Sequence, residues 1–410
     1  MRILLINQYA GGPSLGMEYR PHWMARRWQE RGHEVLVVCG DRSHLRTTAK
    51  IDRGRRLYEG VRFQVLPTTP YKANGPARFA NLLSFGAVLG WSHPRLARFE
   101  PDVVIASSTH PFDVRPALRL ARATGARFVY EVHDLWPLTP ILLGGVSQEH
   151  PAIRLMQREE RFAYLNADLV VSLLPKTEGY MRSRGLAEGR WIWIPNGVEF
   201  SPRTATPSPS AALRSVQDGV AELRRSYPVV LVYAGAHGTA NALEDLLDSA
   251  GSAEQLGIAF ALVGSGLLKE DLQARCADCP NVRFFDPVPR SEVTQALRLA
   301  DFAYAGARPS PLYRFGVSFN KIYDYLAAGL PLLENIGAAN SPVADAACGL
   351  AADPNVPESL IEALRQMAQS SAEERATWGQ NGRTYVEQHM RQEVLADQML
   401  DAMRDATPRC

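Results

Sequence analysis

The chain has 410 residues, of which 46% are hydrophobic and 21% are charged, and its formal net charge is +2. At roughly 150 residues per domain, this length predicts two or three domains, each with its own hydrophobic core. Because the charges nearly balance, the chain has no general attraction to nucleic acid, and any anion must be bound by local groups.

The first half of the sequence predicts a parallel sheet. "RILLINQYAGG" reads as a strand that ends in glycines, and "YRPHWMARRWQERGHEV" and "EVLVVCG" follow as a helix and a second strand. Further apolar runs predict strands at "VRFQVLP", "DVVIASS", "ARFVYEVHD", "ADLVVSLLP" and "WIWIPNG". Continuous apolar strands that alternate with helices indicate a sheet covered on both faces.

The same pattern restarts after a segment rich in Pro, Ser and Thr. We predict an N-terminal doubly wound domain over 1–199, a linker over 200–226 and a C-terminal doubly wound domain over 227–384. "GRTYVEQHMRQEVLADQMLDAM" predicts one final helix, of which about 385–410 packs back on the first domain. Ligands of such sheets bind outside the carboxyl ends of the strands, so we expect a site in the cleft between the domains.

Cysteine usage and hydropathy indicate a cytoplasmic protein. Five cysteines are too few for a disulfide framework in a chain of this length, and a reducing compartment is expected. Cys276 and Cys279 form a single C-x-x-C without the second pair or the histidines that a zinc site needs. The start of the sequence reads as a strand and not as a signal peptide, and no apolar run approaches the roughly 20 residues of a membrane span.

The segment "VSFNKIYDYLAAGLPLL" predicts an anion-binding helix. Ile322, Tyr325 and Leu326 fall on one face of this helix, and Ser318 is placed to cap its first turn. The opposite face carries Asn320, Lys321 and Asp324. A capped helix with an early lysine suits a phosphate group, whereas the alternative is a surface helix with a solvated lysine and aspartate.

Two other segments supply candidate site residues in the first half. "YAGGPSLGMEYRP" lets the backbone approach a ligand through Gly11, Gly12 and Gly16, although it lacks the G-x-G-x-x-G of a dinucleotide site. Glu18 and Arg20 follow, and we predict that they contact an acceptor. "EVHDLWP" places His133 and Asp134 directly after a strand, where Asp134 is available either to orient His133 or to assist an acceptor hydroxyl.

Together these motifs resemble a known family. Two Rossmann-like domains with "EVHDLWP", "IPNGV" and "PLYRFGVSFNKIYDYLAAGLP" are similar to family 4 retaining glycosyltransferases of the GT-B fold, and more narrowly to the WbuB-like branch. Members of that branch add amino sugars to lipid-linked bacterial surface glycans. The resemblance implies a nucleotide sugar, with UDP as the carrier, and a lipid-diphosphate-linked glycan as acceptor. It also implies peripheral contact with the cytoplasmic face of the bacterial inner membrane.

The resemblance also assigns roles to individual residues. Asp324 contacts the ribose, Gly16 contacts the diphosphate, and His133 contacts the donor sugar in a reaction where the leaving phosphate takes the proton. The remaining donor-binding positions are Gly235, His237, Gly264, Phe285, Pro287, Arg308, Ser318, Asn320 and Lys321. The catalytic group consists of His133, Asp134 and Lys321.

This sequence departs from the family pattern at two places. The family glutamate that stands eight residues before Asp324 is replaced by Gly316, and "AGAHGTANAL" lacks the usual Arg and Lys. Lys321, Arg308 and Arg314 are the nearest replacements for the lost positive charge. The sequence also contains no Asp-x-Asp, so we expect no metal ion and stabilisation of the leaving group by cations and helix N-termini.

A membrane-facing region is predicted in the first half. Basic residues precede the apolar run Phe79–Trp91, and they are Arg53, Arg55, Arg56, Lys72 and Arg78. Such a region suits an anionic lipid diphosphate at a membrane surface, and the alternative is an ordinary loop and core helix.

Three other functions remain open at this point. A GT-B-type sugar-nucleotide epimerase needs no acceptor, and a non-catalytic sugar-nucleotide binding protein is compatible with Gly316. A nicotinamide dehydrogenase has Asp41 as a candidate ribose ligand but lacks the glycine fingerprint.

Overall fold

The computed structural model describes residues 1–72, 75–200 and 208–407. The chain divides into two compact units. Unit 1 comprises Met1–Asn196 and Gln392–Cys410, and unit 2 comprises Gly197–Arg391. Within the described part of the chain, no helix is long and apolar enough to cross a membrane.

Unit 1 is built on an eight-stranded sheet. Its strands are β1 (Arg2–Ile6), β2 (Glu34–Gly40), β3 (Gly54–Tyr58), β4 (Val61–Leu66), β5 (Val103–Ala106), β6 (Arg127–Val132), β7 (Leu169–Ser172) and β8 (Trp191–Trp193). The strand order is β3-β4-β2-β1-β5-β6-β7-β8, and only β3 runs antiparallel to its neighbour. The sequence prediction missed β3, an edge strand whose side chains are mostly exposed and therefore give no apolar pattern.

Helices cover both faces of this sheet. They are α1 (Arg20–Glu30), α2 (Pro76–Trp91), α3 (His93–Ala97), α4 (Val114–Thr124), α5 (Leu138–Leu142), α6 (Pro151–Asn166), α7 (Glu178–Ser183) and α17 (Gln392–Asp405). The C-terminal helix α17 packs on α1. The Trp28 indole N–H donates to the carbonyl of Ala396 at 3.0 Å, and Asp397 forms ion pairs with Arg27 and Arg31.

Unit 2 is built on a six-stranded parallel sheet with the order β11-β10-β9-β12-β13-β14. The strands are β9 (Val229–Ala234), β10 (Ile258–Val263), β11 (Val282–Phe285), β12 (Phe302–Gly306), β13 (Leu332–Asn335) and β14 (Gly349–Ala351). The helices are α8 (Ala211–Leu223), α9 (Leu243–Asp248), α10 (Ala250–Gln255), α11 (Lys269–Arg275), α12 (Val293–Leu297), α13 (Asn320–Ala327), α14 (Pro342–Ala346), α15 (Pro357–Gln369) and α16 (Ala372–His389).

The segment predicted as a linker contains a helix. Residues 201–207 lie outside the described residues, but Ser210 caps α8 by accepting a hydrogen bond from the backbone of Leu213. The buried side chains of α8 repeat at helical spacing, and Phe285 packs against its Gly219. Residues 211–223 are therefore part of unit 2.

The predicted final helix is interrupted. The helix α16 ends at His389 and α17 begins at Gln392. At the break, the carbonyl of Met390 accepts a hydrogen bond from the backbone of Val198 at 2.8 Å, and Val198 pairs with Arg391 as an isolated bridge. The backbone carbonyl is thus used outside the helix, which ends there.

Candidate active site

The helix α13 is anchored at the carboxyl end of β9. The Tyr325 hydroxyl donates to the carbonyl of Ala234 at 3.0 Å and accepts from the amide of the same residue at 2.9 Å. Ile322, Tyr325 and Leu326 are buried as predicted. Ser318 was predicted to cap this helix, and that is wrong. Phe319 takes the cap position without a side-chain bond, and the Ser318 hydroxyl lies 3.4 Å from that of Tyr323.

Lys321 is a desolvated cation. Its ammonium donates to the side-chain oxygen of Asn241, lies 3.4 Å from the Tyr233 hydroxyl and stands 4.8 Å and 5.7 Å from the ring centres of Tyr233 and Phe319. Burial lowers the pKa of Lys321 to about 8. Within the described parts of the chain no carboxylate forms an ion pair with it, so it is a positive charge among neutral groups.

Asp324 has a different partner. Arg290 donates from Nη1 to Oδ2 at 2.5 Å and from Nη2 to Oδ1 at 2.6 Å, which makes a bidentate ion pair. Asp324 is mostly buried and Arg290 is exposed. The sequence analysis did not find this pair, because 34 residues separate its members.

Glycines let the ends of β9 and β10 lie against each other. Gly264 has a φ of +149°, and a Cβ on it would stand 1.9 Å from the carbonyl oxygen of Gly235. His237 is fully buried beside them, in ring contact with Tyr233 and Phe284. Neither ring nitrogen has a hydrogen-bond partner among the described residues, and burial followed by the charge of Lys269 lowers the pKa of His237 to about 4. His237 is therefore a neutral imidazole at pH 7.

Lys269 also fixes this loop region, and the sequence analysis missed it. Its ammonium donates to the carbonyls of Gly264 and Phe285, each at 3.0 Å, and to Asp286 at 2.8 Å. It thereby ties the end of β10 to the end of β11. Its position at the start of α11, directly after "VGSGLL", was the available signal.

Other predicted donor-binding residues take different places. The side chain of Phe285 packs against Gly219 of α8, so it belongs to the core of unit 2. Arg308 forms an ion pair with Glu244 at 2.7 Å, so its charge is already partnered. Pro287 and Asn320 are exposed.

In unit 1, His133 belongs to a buried polar cluster at the carboxyl ends of β5 and β6. The Glu131 carboxylate accepts from the Ser107 hydroxyl at 2.5 Å and from Arg20 Nε at 3.0 Å, and it lies 3.2 Å from His133 Nε2. The Ser107 hydroxyl is also 3.0 Å from His133 Nε2. These hydrogen bonds place Nε2 of the imidazole toward Glu131.

The charges of this cluster depend on one another. Burial raises the pKa of Glu131, but the charge of Arg20 and the hydrogen bond from His133 outweigh it and hold that pKa well below its usual range. Burial likewise lowers the pKa of His133, but the hydrogen bond and charge of Glu131 outweigh it, and the result is a raised pKa. Glu131 thus favours the protonated form of the His133 ring.

Two sequence predictions for this region are wrong. Asp134 was expected to orient His133, but Glu131 does so, and the exposed Asp134 carboxylate makes no hydrogen bond among the described residues. The other role expected of Asp134, to assist an acceptor hydroxyl, stays a prediction. Arg20 was expected to contact an acceptor, but its side chain is 1% exposed. Besides Glu131 it donates to the carbonyls of Pro195 and Ile194 at 2.6 Å and 3.0 Å.

The glycine-rich loop before α1 closes on itself. The amide of Gly16 donates to the carbonyl of Gly12 at 2.8 Å, and the amide of Gly12 donates to the carbonyl of Gly16 at 3.0 Å. Gly16 was predicted to contact a diphosphate, and its amide is used within the loop. Glu18 is partly exposed, and its charge acts on the pKa of both His133 and Asp134.

Comparisons with known proteins show what the chain is similar to. Residues 16–197 match the glycosyl transferase 4-like domain. A protein of Pseudomonas aeruginosa named probable glycosyltransferase WbjE is 24% identical over 272 residues, which is 65% of this chain and 66% of the relative.

Solved structures resemble the whole chain. Anabaena HepE, in complex with UDP and glucose, has a TM-score of 0.64 at 17% identity, and the match covers 98% of this chain and 99% of HepE. WaaG, a glycosyltransferase involved in lipopolysaccharide biosynthesis, has a TM-score of 0.67 at 18% identity, with 99% and 100% covered. The GT-B fold is confirmed, and so is the prediction of a glycosyltransferase at the level of enzyme class.

Proposed function

We propose that this glycosyltransferase moves a sugar from a UDP-sugar to a lipid-linked or glycan acceptor, with retention at the anomeric carbon. The observation that supports it best is Lys321, a desolvated ammonium with no carboxylate partner in the described parts of the chain. A buried cation without a counter-ion is costly, and binding an anion removes that cost.

The anion that suits Lys321 is the diphosphate of a nucleotide. Tyr233 and Asn241 hold the ammonium at the carboxyl end of β9, where parallel sheets of this kind bind their ligands. The diphosphate gains negative charge as the sugar departs, so a fixed ammonium stabilises the transition state more than the ground state. This chemistry needs no metal ion, because Lys321 supplies the charge. HepE, whose structure contains UDP, supports uridine as the nucleoside.

We assign the donor sugar to His133. Glu131 holds the ring through Nε2, and the structure gives Nδ1 no hydrogen bond among the described residues. A protonated Nδ1 donates to a sugar oxygen, and the leaving phosphate accepts the proton of the incoming hydroxyl. The similarity of "EVHDLWP" and "IPNGV" to the WbuB-like branch adds the proposal that the sugar is an N-acetylated amino sugar.

We place the acceptor at a membrane surface, at the cytoplasmic face of a bacterial inner membrane. The exposed side of α2 is an apolar stripe of Ala80, Leu83, Ala87 and Trp91, and Trp91 is 82% exposed. No charged residue occurs from Phe79 to Trp91. An apolar helix face that ends in tryptophan is suited to the interfacial region of a bilayer, where a lipid-linked acceptor resides.

Titration calorimetry with UDP, GDP, ADP and NAD tests the donor. We expect UDP to bind wild type, Lys321→Met to lose at least about tenfold in affinity, and the exposed-lysine control Lys176→Met to bind as wild type. Turnover with a panel of UDP-sugars and a lipid-diphosphate acceptor then tests transfer. Binding of NAD alone, or transfer that is insensitive to Lys321, contradicts the proposal. Epimerisation or hydrolysis of the UDP-sugar without transfer to an acceptor would favour the alternative of a GT-B-type sugar-nucleotide epimerase.

A further inference from the structure

We propose that Arg290 is a positioning residue that aims the Asp324 carboxylate at the ribose of the nucleotide and offsets its charge beside the diphosphate. This inference rests on the proposed function, because it concerns the same nucleotide. It adds a specificity-determining residue that neither the sequence motifs nor the resemblance assigned.

The geometry of the pair leaves room for a ligand. Arg290 engages both oxygens of Asp324 at 2.6 Å and 2.5 Å, which fixes the plane of the carboxylate. An ionised carboxylate has about four lone-pair directions, and the arginine uses two of them. The other two are available to accept hydrogen bonds from a vicinal diol, and a ribose presents such a diol through its 2′ and 3′ hydroxyls.

The backbone segments that carry Arg290 and Asp324 are both held by hydrogen bonds. Arg290 starts the short helix Arg290–Glu292, and the Glu292 carboxylate accepts from the backbone amide of Ser210 at 2.9 Å and from its hydroxyl. Pro289 directly precedes Arg290, and its ring restricts the backbone conformation at the start of this short helix. On the other side, the Tyr325 hydroxyl fixes α13 to Ala234. The ion pair therefore joins two anchored segments.

Electrostatics gives the arginine a second effect. Lys321 and Asp324 are three positions apart on one helix, so a diphosphate at Lys321 lies near the carboxylate. The negative charge of Asp324 alone would repel that diphosphate, and the effect is strong where solvent is partly excluded. The guanidinium of Arg290 offsets this charge without removing the hydrogen-bond acceptors that the ribose needs.

A double-mutant cycle tests whether Arg290 acts through Asp324. Dissociation constants are measured by calorimetry for UDP and for 2′,3′-dideoxy-UDP on wild type, Arg290→Gln, Asp324→Asn and the double variant. We expect Arg290→Gln to lower the affinity for UDP by about tenfold in the wild-type background, and by less than about twofold in the Asp324→Asn background. We also expect the preference for UDP over the dideoxy analogue to fall toward about one in all three variants.

Other outcomes overturn the inference. Equal weakening by Arg290→Gln in both backgrounds, with the ribose preference kept, makes Arg290 a direct phosphate ligand. If no dissociation constant changes, Arg290 and Asp324 form a surface ion pair only.

Arg290→Lys should recover part of the UDP affinity that Arg290→Gln loses, because a lysine keeps the charge but not the bidentate geometry.

The control is Arg275→Gln. Arg275 is an exposed arginine on α11 that also pairs with a carboxylate, that of Asp248. We expect its loss to leave the ribose preference unchanged. Wild type itself reports on the proposed function: if it binds none of the four nucleotides, that proposal fails and this inference fails with it. If wild type binds UDP and the cycle shows no coupling, only the inference on Arg290 fails.

Discussion

The ammonium of Lys321 lies 4.8 Å from the centre of the Tyr233 ring, although 88 residues separate them in the sequence. The aromatic face stabilises the cation, and Asn241 accepts one of its hydrogen bonds. Neither neighbour carries a negative charge. Tyr233 and Asn241 therefore hold the Lys321 ammonium in place without neutralising its charge, which leaves that charge available to bind an anion.

Lys321→Met should separate stability from binding. Burial lowers the pKa of Lys321 to about 8, which means that the folded protein disfavours the charged form. Replacing it with methionine removes this cost, which is about 3 kcal/mol at pH 7 for a pKa lowered from 10.5 to about 8. It also removes the hydrogen bond to Asn241 and the contact with the Tyr233 ring, so we expect the ligand-free protein to gain roughly 1 kcal/mol. UDP affinity should fall by at least about tenfold. Chemical denaturation and calorimetry measure the two effects, and a variant that is less stable but binds UDP normally contradicts this role.

The same pKa predicts how UDP binding depends on pH. The lysine is mostly protonated below pH 8 and mostly neutral above it, so affinity for an anion should fall as pH rises from 7 to 9. Lys321→Met should show no such fall over this range. Calorimetry with UDP from pH 7 to 9 measures this fall, and a wild-type affinity that stays constant over the range contradicts the prediction.

The elements around Lys321 followed from the sequence because they depend on local pattern. The apolar spacing of Ile322, Tyr325 and Leu326 predicted the buried face of α13, and the glycines after β9 and β10 predicted the carboxyl edge of the sheet. Such patterns repeat within one element, so they do not require knowledge of its neighbours.

The partners of these residues did not follow in the same way. Arg290 meets Asp324 across 34 residues, and Arg20 meets Glu131 across 111. A single sequence contains no signal for such pairing. One contact was readable: Glu131 and His133 are two positions apart at the end of a strand, so their side chains point to the same side. Asp134, the next residue, makes no hydrogen bond to His133 among the described residues and was the wrong choice for orienting it.

His133→Ala should lose turnover by at least about 100-fold while UDP affinity stays within about twofold of wild type. The reason is that the proposed contact of His133 is with the sugar and not with the nucleotide. Turnover of a UDP-sugar and calorimetry with UDP measure the two effects. Normal turnover in this variant removes His133 from the catalytic group.

Glu131→Gln should destabilise unit 1 and lower the pKa of His133. Arg20 would lose its counter-ion while remaining buried, and breaking one partner of such a pair typically costs 3–5 kcal/mol. Ser107→Ala, which removes one hydrogen bond to Glu131, should cost only about 1 kcal/mol. Denaturation gives both energies, and an NMR titration of His133 in the milder variant shows whether the protonated ring is still held. A His133 pKa that does not respond to either change would contradict the coupling.

Gly264→Ala should damage unit 2. Its φ of +149° is strained for any side chain, and the new Cβ would meet the carbonyl oxygen of Gly235. We expect a loss of at least about 2 kcal/mol together with weaker UDP binding. Gly251→Ala is the matched control, since that helical glycine has open space around its Cβ position and ordinary backbone, and it should be neutral or stabilising. Equal effects from both substitutions would contradict the argument.

Trp91→Ser and Leu83→Ser should each lower binding to vesicles that contain anionic lipid, measured as the fraction of protein that sediments with them. Trp91 is 82% exposed and Leu83 39% exposed on α2, so Trp91→Ser removes few contacts within the protein. Loss of the tryptophan should reduce binding by at least about fivefold. Leu267→Ser, at a leucine that is 98% exposed in unit 2, is the control and should bind as wild type. Equal binding by all variants would contradict membrane contact through α2.

The buried carboxyl of Glu160 predicts a further pH effect, on stability. Its Oε1 accepts from Tyr180 at 2.7 Å and from Tyr164 at 3.4 Å, and burial raises its pKa from 4.5 to about 7. A raised folded-state pKa means that the stability is fully present below pH 4.5 and is lost as the pH rises through 7.

Glu160→Gln keeps the neutral form at every pH and isolates this contribution. The variant should therefore gain stability over wild type as the pH rises from 5 to 8, by roughly 2 kcal/mol at the upper end. The exposed control Glu188→Gln should show no such trend. Denaturation midpoints at pH 5, 6, 7 and 8 give the difference directly. A difference that is constant across this range would mean that Glu160 is ionised in the folded protein throughout, and that the two tyrosines stabilise its charge.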